Sequence, residues 1–297
     1  MITTRDINYS PTNYQMNKLQ RQQIADRLQA HCERLGSQNA AANTLKNVST
    51  ATINQILNRK WELISDEMFR NVGAQVGWTQ DNSWVTVDTR DMKMLHHLLS
   101  DAQENSLVFA ITGDAGTGKT HALRTYVQEH KGAYHIQCNE FWNRKFFLQE
   151  ILTAIGRDSS GFTTGEMMYE ITATLKKRDH PLLILDEADK LSDQVLYFFI
   201  TIYNNLEDHC GIILIATDHL EKKVKRGRKL NKKGYNEIYS RIGRKFIELS
   251  GLNSADITAL CVANGVQDAA RIREVIEDSE MDLRRIKRKI HALRNAA

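Results

Sequence analysis

The sequence predicts an α/β fold built on a parallel five-stranded sheet, with an all-α module ahead of it and a small helical lid behind it. Three observations carry that prediction. Five short β-rich runs lie between residues 107 and 249, separated by segments of helical period. Three of the five are continuously apolar rather than alternating, the pattern of strands buried on both faces of a parallel sheet. On either side of this block, at 21–78 and after Gly251, apolar residues recur at helical spacing.

The first twenty residues are polar, contain Pro11 and show no sustained period, which predicts a mobile arm. A helix is expected from Arg21, with Ile24, Leu28, Cys32 and Leu35 on one face and Gly36 at its end. Ala41, Ala42 and Leu45 suit a second short helix. Val48, Ile53, Ile56 and Leu57 suit a turn and a third helix, N-capped by Ser49. Another helix follows Ser65, with Met68, Phe69, Val72 and Val76 facing inward. Short helices joined by tight turns are the anatomy of a helix-turn-helix module over 21–78; a generic small helical bundle is the alternative. In the first reading the segment STATINQILNRK (49–60) is the recognition helix. It offers Thr50, Thr52, Asn54 and Gln55 to a groove, and Asn58, Arg59 and Lys60 to phosphates. Trp61, Trp78 and Trp84 flank the module and read as packing residues.

Residues 79–92 are polar and read as a linker, leaving 93–250 as the α/β core and 251–297 as the lid. The core strands are LVFAIT (107–112), YHIQC (134–138), LLILD (182–186), IILIA (212–216) and KFIEL (245–249). Helices are expected between them over 121–129, 143–155, 165–177 and 193–206, and in the lid over 253–265, 268–278 and 282–295.

The most specific motif is GDAGTGKT (113–120), which follows the first strand and opens a helix. Such a loop wraps phosphates with main-chain N–H groups, here those of Gly113, Ala115, Gly116, Thr117 and Gly118, while the helix N-terminus adds partial positive charge. Lys119 then reaches the β and γ phosphates, and the Thr120 hydroxyl coordinates Mg²⁺. The strand LLILD supplies the second half. It ends in Asp186, which can hold Mg²⁺ through water, followed by Glu187, placed to polarise an attacking water. An acidic pair at a strand end can also be a solvated turn, but the upstream phosphate loop argues against that. ATP and Mg²⁺ are the implied cofactors, and hydrolysis the implied reaction.

This arrangement resembles the AAA+ ATPases. The resemblance implies a γ-phosphate sensor at Thr217, after IILIA, and an arginine finger at Arg241 in YSRIGRKF, with Arg244 competing for that role. It also implies a second sensor at Arg284 on the last lid helix, although Met281 stands where the family usually has glycine. Within AAA+, the helix-turn-helix module ahead of a compact core and minimal lid is similar to the transposition ATPases of the Mu B, IstB and TnsC type. That likeness implies a homo-oligomer, a helical filament or ring on duplex DNA, which captures target DNA largely without sequence preference and stimulates a transposase. Two alternatives remain: a helicase-loader ATPase, and a helix-turn-helix transcriptional regulator with a nucleotide switch.

Charge speaks to DNA locally rather than globally. Lys plus Arg exceed Asp plus Glu by only 40 − 36 = 4. Yet eight of the twelve residues in KKVKRGRKLNKK (222–233) are basic and none is acidic. Lys222, Lys223, Lys225, Arg226, Arg228 and Lys229 could neutralise DNA phosphates, with Gly227 and Gly234 suiting a flexible loop that orders on the backbone. A solvated charge run and a nuclear-localisation signal are the competing readings. A second basic face, Arg284 to Arg294, suits DNA, ATP or an acidic partner equally. Four scattered cysteines with no metal spacing, no signal-peptide pattern and no bilayer-length apolar run predict a soluble cytoplasmic protein; the resemblance implies a bacterial or phage-infected host cell.

Overall fold

The computed structural model describes residues 16–78 and 84–295. Most of the expected arm (1–15) and the first part of the linker (79–83) lie outside the described residues. The N-terminal module comprises α1 (Lys18–Leu35), α2 (Gln38–Thr44), α3 (Thr50–Leu57) and α4 (Asp66–Gln75). Helix α1 starts earlier than its apolar period because Asn17 and Gln20 form a reciprocal capping box, and Gly36 ends it in the left-handed region at φ 85°. Ser49 and Ser65 cap α3 and α4, each accepting a hydrogen bond from the third residue on. Ile24 and Leu28 of α1 pack with Ile53, Ile56, Phe69 and Val72 in an apolar core. Trp61 is a packing residue whose indole N–H donates to Ile56 O at 2.9 Å. Arg21 closes the module, 2.7 Å from Asp66 and over the Phe69 ring.

The core opens with α5 (Arg90–Asn105), which the polar stretch before it concealed in the sequence. Thr89 caps it, and Met92, Leu95, Leu99 and Ala102 bury its inner face. The strands are β1 (Val108–Thr112), β2 (Ala133–Gln137), β3 (Leu182–Asp186), β4 (Gly211–Ala216) and β5 (Ile247–Glu248), in the order β2-β3-β4-β1-β5. All pairings are parallel. Helices α6 (Lys119–Glu129), α7 (Arg144–Ala154), α8 (Thr164–Leu175), α9 (Asp193–Leu206), α10 (Asp218–Lys229) and α11 (Tyr235–Arg241) make the crossovers. Helices α5 and α6 cover one face through Leu95, Leu99, Leu123 and Tyr126. Helices α7, α8 and α9 cover the other, in a core continuous with that of the N-terminal module. Asn43 of the module donates to Gly156 O at 3.2 Å, beside Ala40. This strand order sets the carboxyl ends of β1, β3 and β4 side by side, where open α/β sheets bind ligands.

The lid holds α12 (Ser254–Ala263), α13 (Ala269–Ser279) and α14 (Leu283–Asn295) around Ile257, Cys261, Val275, Ile286 and Ile290. The second half of the expected linker is a strap rather than a spacer. Trp84 packs on the lid core, and Val85 exchanges main-chain hydrogen bonds of 2.8 and 2.9 Å with the Asn264 amide. Buried Asp91 accepts from Gly251 N at 2.7 Å, tying the start of α5 to the lid hinge. All four cysteines are buried free thiols, and burial raises Cys32 to about 11 and Cys210 to about 12. Among the described residues no helix is long and apolar enough to cross a membrane.

The basic stretch is a correction. Residues 222–229 are not a flexible loop but the body of α10. Leu220, Val224 and Gly227 form its buried stripe, and acid–base pairs one turn apart support its exposed side. Gly227 is there for close packing: a Cβ would stand 2.4 Å from the Tyr235 ring.

Candidate active site

The phosphate loop runs from the end of β1 into α6, with Gly116 and Gly118 at φ 82° and 94°, conformations that glycine supplies without strain. Thr117 Oγ1 donates to Asp114 O at 3.0 Å and braces the turn. Lys119 Nζ sits in the loop's mouth, donating to Gly113 O at 2.7 Å and Asp114 O at 2.6 Å. Burial pulls its ammonium below the usual lysine range, opposed by the Asp186 carboxylate. Thr120 Oγ1 donates to Asp186 Oδ2 at 2.8 Å, so the loop hydroxyl and the strand-end carboxylate meet. Burial pushes the Asp186 carboxyl up, but His135, Thr120 and the Glu187 N–H outweigh it and hold the group below the ordinary carboxylate range. An alcohol and an ionised carboxylate are hard oxygen donors of the kind Mg²⁺ takes when substrate phosphates and water complete its shell. The residues therefore fit the ion, which would neutralise charge on the transferred phosphoryl group.

Glu187 occupies a left-handed conformation, φ 55°, uncommon for a non-glycine residue and typical of functional sites. Its Oε2 accepts from Gln137 Nε2 at 3.1 Å and Lys190 Nζ at 2.9 Å. Thr217, directly after β4, donates to Asp189 Oδ2 at 2.8 Å. Four groups were not anticipated: His135, Gln137, Asp189 and Lys190. Asp189 and Lys190 lie in the short 3-10 turn Ala188–Lys190, legible only as neighbours of the acidic pair. His135 and Gln137 enter through sheet register, Gln137 standing opposite Asp186. His135 Nε2 lies 3.1 Å from Asp186 Oδ2.

The lid closes the other side. Leu283 N donates to Gly116 O at 2.8 Å, and a Cβ on Gly116 would stand 2.0 Å from Asp282 Oδ2. Arg284 faces the cleft, of about 280 Å³, that Lys119, Asp186, Glu187 and Thr217 line. Beside it, Met92, Leu252, Leu260 and Leu283 line a small apolar cavity of about 30 Å³ against Thr117 and Gly118.

Arg241 and Arg244 are elsewhere. Arg241 ends α11 with its guanidinium over the Tyr203 ring, 5.0 Å from the centroid, beside Val108 and Ile212. Those residues begin β1 and β4, so a whole strand, about 16 Å at 3.3 Å per residue, separates Arg241 from the phosphate loop. Its Nε is buried without a hydrogen bond among the described residues. Arg244 is exposed, at φ 58°.

The six basic residues of α10 divide. Lys222 pairs with Asp218 and Lys225 with Glu221, both on the exposed face. Lys223 turns inward, donating to Leu191 O near Asp193, and burial lowers its ammonium despite Asp193. Arg228 stacks on Tyr239 at 3.7 Å. Arg226 and Lys229 are exposed at the helix end. On α3, Asn54 and the following Arg59 are exposed, while Thr52 Oγ1 bonds the Ser49 hydroxyl at 2.9 Å.

Residues 102–224, from the last turns of α5 into α10, match the family model described as AAA domain. The chain is also similar to the Mu-like prophage FluMu DNA transposition protein B of Haemophilus influenzae. The two are 23% identical over 215 residues, covering 71% of this chain and 73% of that protein.

Proposed function

We propose that this protein, an AAA+ ATPase resembling the Mu B-type transposition proteins, binds duplex DNA in its ATP state, assembles on it as a homo-oligomer, captures target DNA and stimulates a transposase. The observation that carries the reading is the junction at Thr217. The residue that touches Asp189 in the cleft is also the N-cap of the basic helix α10, which supports a coupling of nucleotide state to DNA grip. In this reading Lys119 and the loop amides hold ATP, Glu187 takes a proton from the attacking water, and Thr217 orients it. Lys222, Lys225, Arg226 and Lys229 bind phosphates, and Thr52, Asn54 and Arg59 in and after α3 add a second DNA-binding surface. The distance of Arg241 from the chain's own phosphate loop supports a finger supplied between subunits, with the exposed Arg244 as the second candidate.

Electron microscopy with ATP and random-sequence duplex DNA tests the proposal. Continuous filaments or stacked rings on DNA are expected. Discrete dimers bound only at one operator sequence would replace it with a transcriptional regulator.

A further inference from the structure

Strand β2 is an edge of the sheet, bonded to β3 alone. Leu182 N donates to Gly132 O and Cys138 N to Asp186 O, so the even-numbered positions of β2 turn their main-chain groups toward β3. By the alternation of a parallel strand, His135 and Gln137 turn theirs outward. No described residue hydrogen-bonds to those outward N–H and C=O groups. They open into a cleft of about 580 Å³ between α6 and α7, roofed by α1 of the N-terminal module, a volume within the range of ligand sites (about 300–1,000 Å³).

The walls of this cleft are cationic. Arg27, Arg34 and Arg124 line it, against a single described carboxylate, Glu150. Each arginine is held by a neutral acceptor, and none forms an ion pair among the described residues: Arg27 donates to Gly77 O at 2.9 Å, Arg34 to His31 Nδ1 at 3.1 Å, and Arg124 to Gln137 Oε1 at 3.2 Å. Arg27 and Arg34 are two turns apart on α1, about 10 Å, the reach of three residues of extended chain.

We propose that this cleft is a docking site for an extended acidic peptide segment of a partner protein, which pairs with β2 as a sixth strand while its carboxylates meet Arg27, Arg34 and Arg124. The main chain decides against nucleic acid. A phosphodiester has no N–H to give the outward carbonyls of His135 and Gln137, whereas a peptide supplies donor and acceptor alternately. The occupant would also lie one bond from catalysis, because the side chains of these two residues reach Asp186 and Glu187. The inference stands on the edge strand and the arginines and does not depend on the transposition reading.

The test uses the full chain and fluorescence anisotropy with four labelled probes: a capped octapeptide of alternating Glu and Val, the same peptide N-methylated at alternate amides, its Lys–Val counterpart, and an oligothymidylate. Saturable binding of the Glu–Val peptide is expected, at least tenfold weaker after N-methylation and absent for Lys–Val. Arg34→Glu should abolish binding. Because Arg34 is partly buried, the exposed Arg124→Glu provides a second variant, expected to weaken binding at least tenfold. Absence of peptide binding, indifference to N-methylation, or oligothymidylate binding that disappears in the same variants overturns the proposal.

Discussion

Lys119 and Glu187 lie in one cleft, yet the proposed function gives them different work at the residue scale. There Lys119 supplies charge to phosphates, so Lys119→Ala is expected to abolish nucleotide binding. Glu187→Gln keeps the shape of the site but removes the base. Its kcat should fall by about 10²–10⁴-fold, the usual worth of a general base, with ATP binding retained. Steady-state hydrolysis beside fluorescent-nucleotide titration separates the two, and wild-type turnover in Glu187→Gln would refute the assignment. His31 makes a different prediction. Burial, with Arg34 beside it, lowers its pKa to about 4 from 6.5. It accepts from Arg34 through Nδ1, and its Nε2 meets Thr44 Oγ1 at 2.7 Å. The unfolded chain takes up this proton near pH 6.5 and the folded chain only near 4. This contribution to stability is therefore full above pH 6.5 and is lost as pH falls toward and through about 4. The melting temperature should fall across that window, and His31→Gln should flatten the fall.

At the scale of elements, α10 shows how a charge run becomes a helix. Sequence charge hid its period, but Leu220, Val224 and Gly227 are spaced for one buried stripe. Alanine at Gly227 would gain about 1 kcal/mol of helix propensity and place a methyl 2.4 Å from the Tyr235 ring. Overpacking costs about 1–3 kcal/mol, so Gly227→Ala is expected to destabilise on balance, as chemical denaturation would read. The helix also revises which charges the proposed function assigns to DNA. Replacing Lys222, Lys225, Arg226 and Lys229 with Gln should weaken DNA binding, with ATP affinity unchanged. The salt slope should shrink by about 0.9 for each phosphate that is no longer neutralised. Lys223→Gln should act on stability instead, since its ammonium is turned inward. An unaltered slope in the fourfold variant would return α10 to the solvent.

For the whole molecule, the proposed function implies that one chain holds an incomplete hydrolytic set. Arg241 sits at the amino ends of β1 and β4, a strand's length from its own phosphate loop, and Arg244 follows it, exposed. Mixing Lys119→Ala, which keeps its fingers, with Arg244→Ala or Arg241→Ala, which keep their phosphate loops, should restore hydrolysis for whichever arginine acts in trans. Exposure favours Arg244, because the Arg241 guanidinium is engaged with Tyr203. If neither mixture exceeds the sum of its parts, the finger does not operate between subunits.

The buried strands, the phosphate loop, the acidic pair at the end of β3 and the helix caps at Ser49 and Ser65 were legible in the amino-acid sequence. Each depends on a short segment whose period or residue type has one physical use. What the sequence could not decide involves residues far apart in the chain. Gln137 meets Glu187 through strand register, Asp282 meets Gly116 because the lid folds back, and Trp84 reaches the lid by a strap that reads as linker. Polar neighbours hide helix α5 in the sequence, and its own charge hides α10, whose inner face is defined by packing against Tyr235. Local sequence determines an element when propensity and period agree; where an element's role is to meet a distant partner, only tertiary packing selects it.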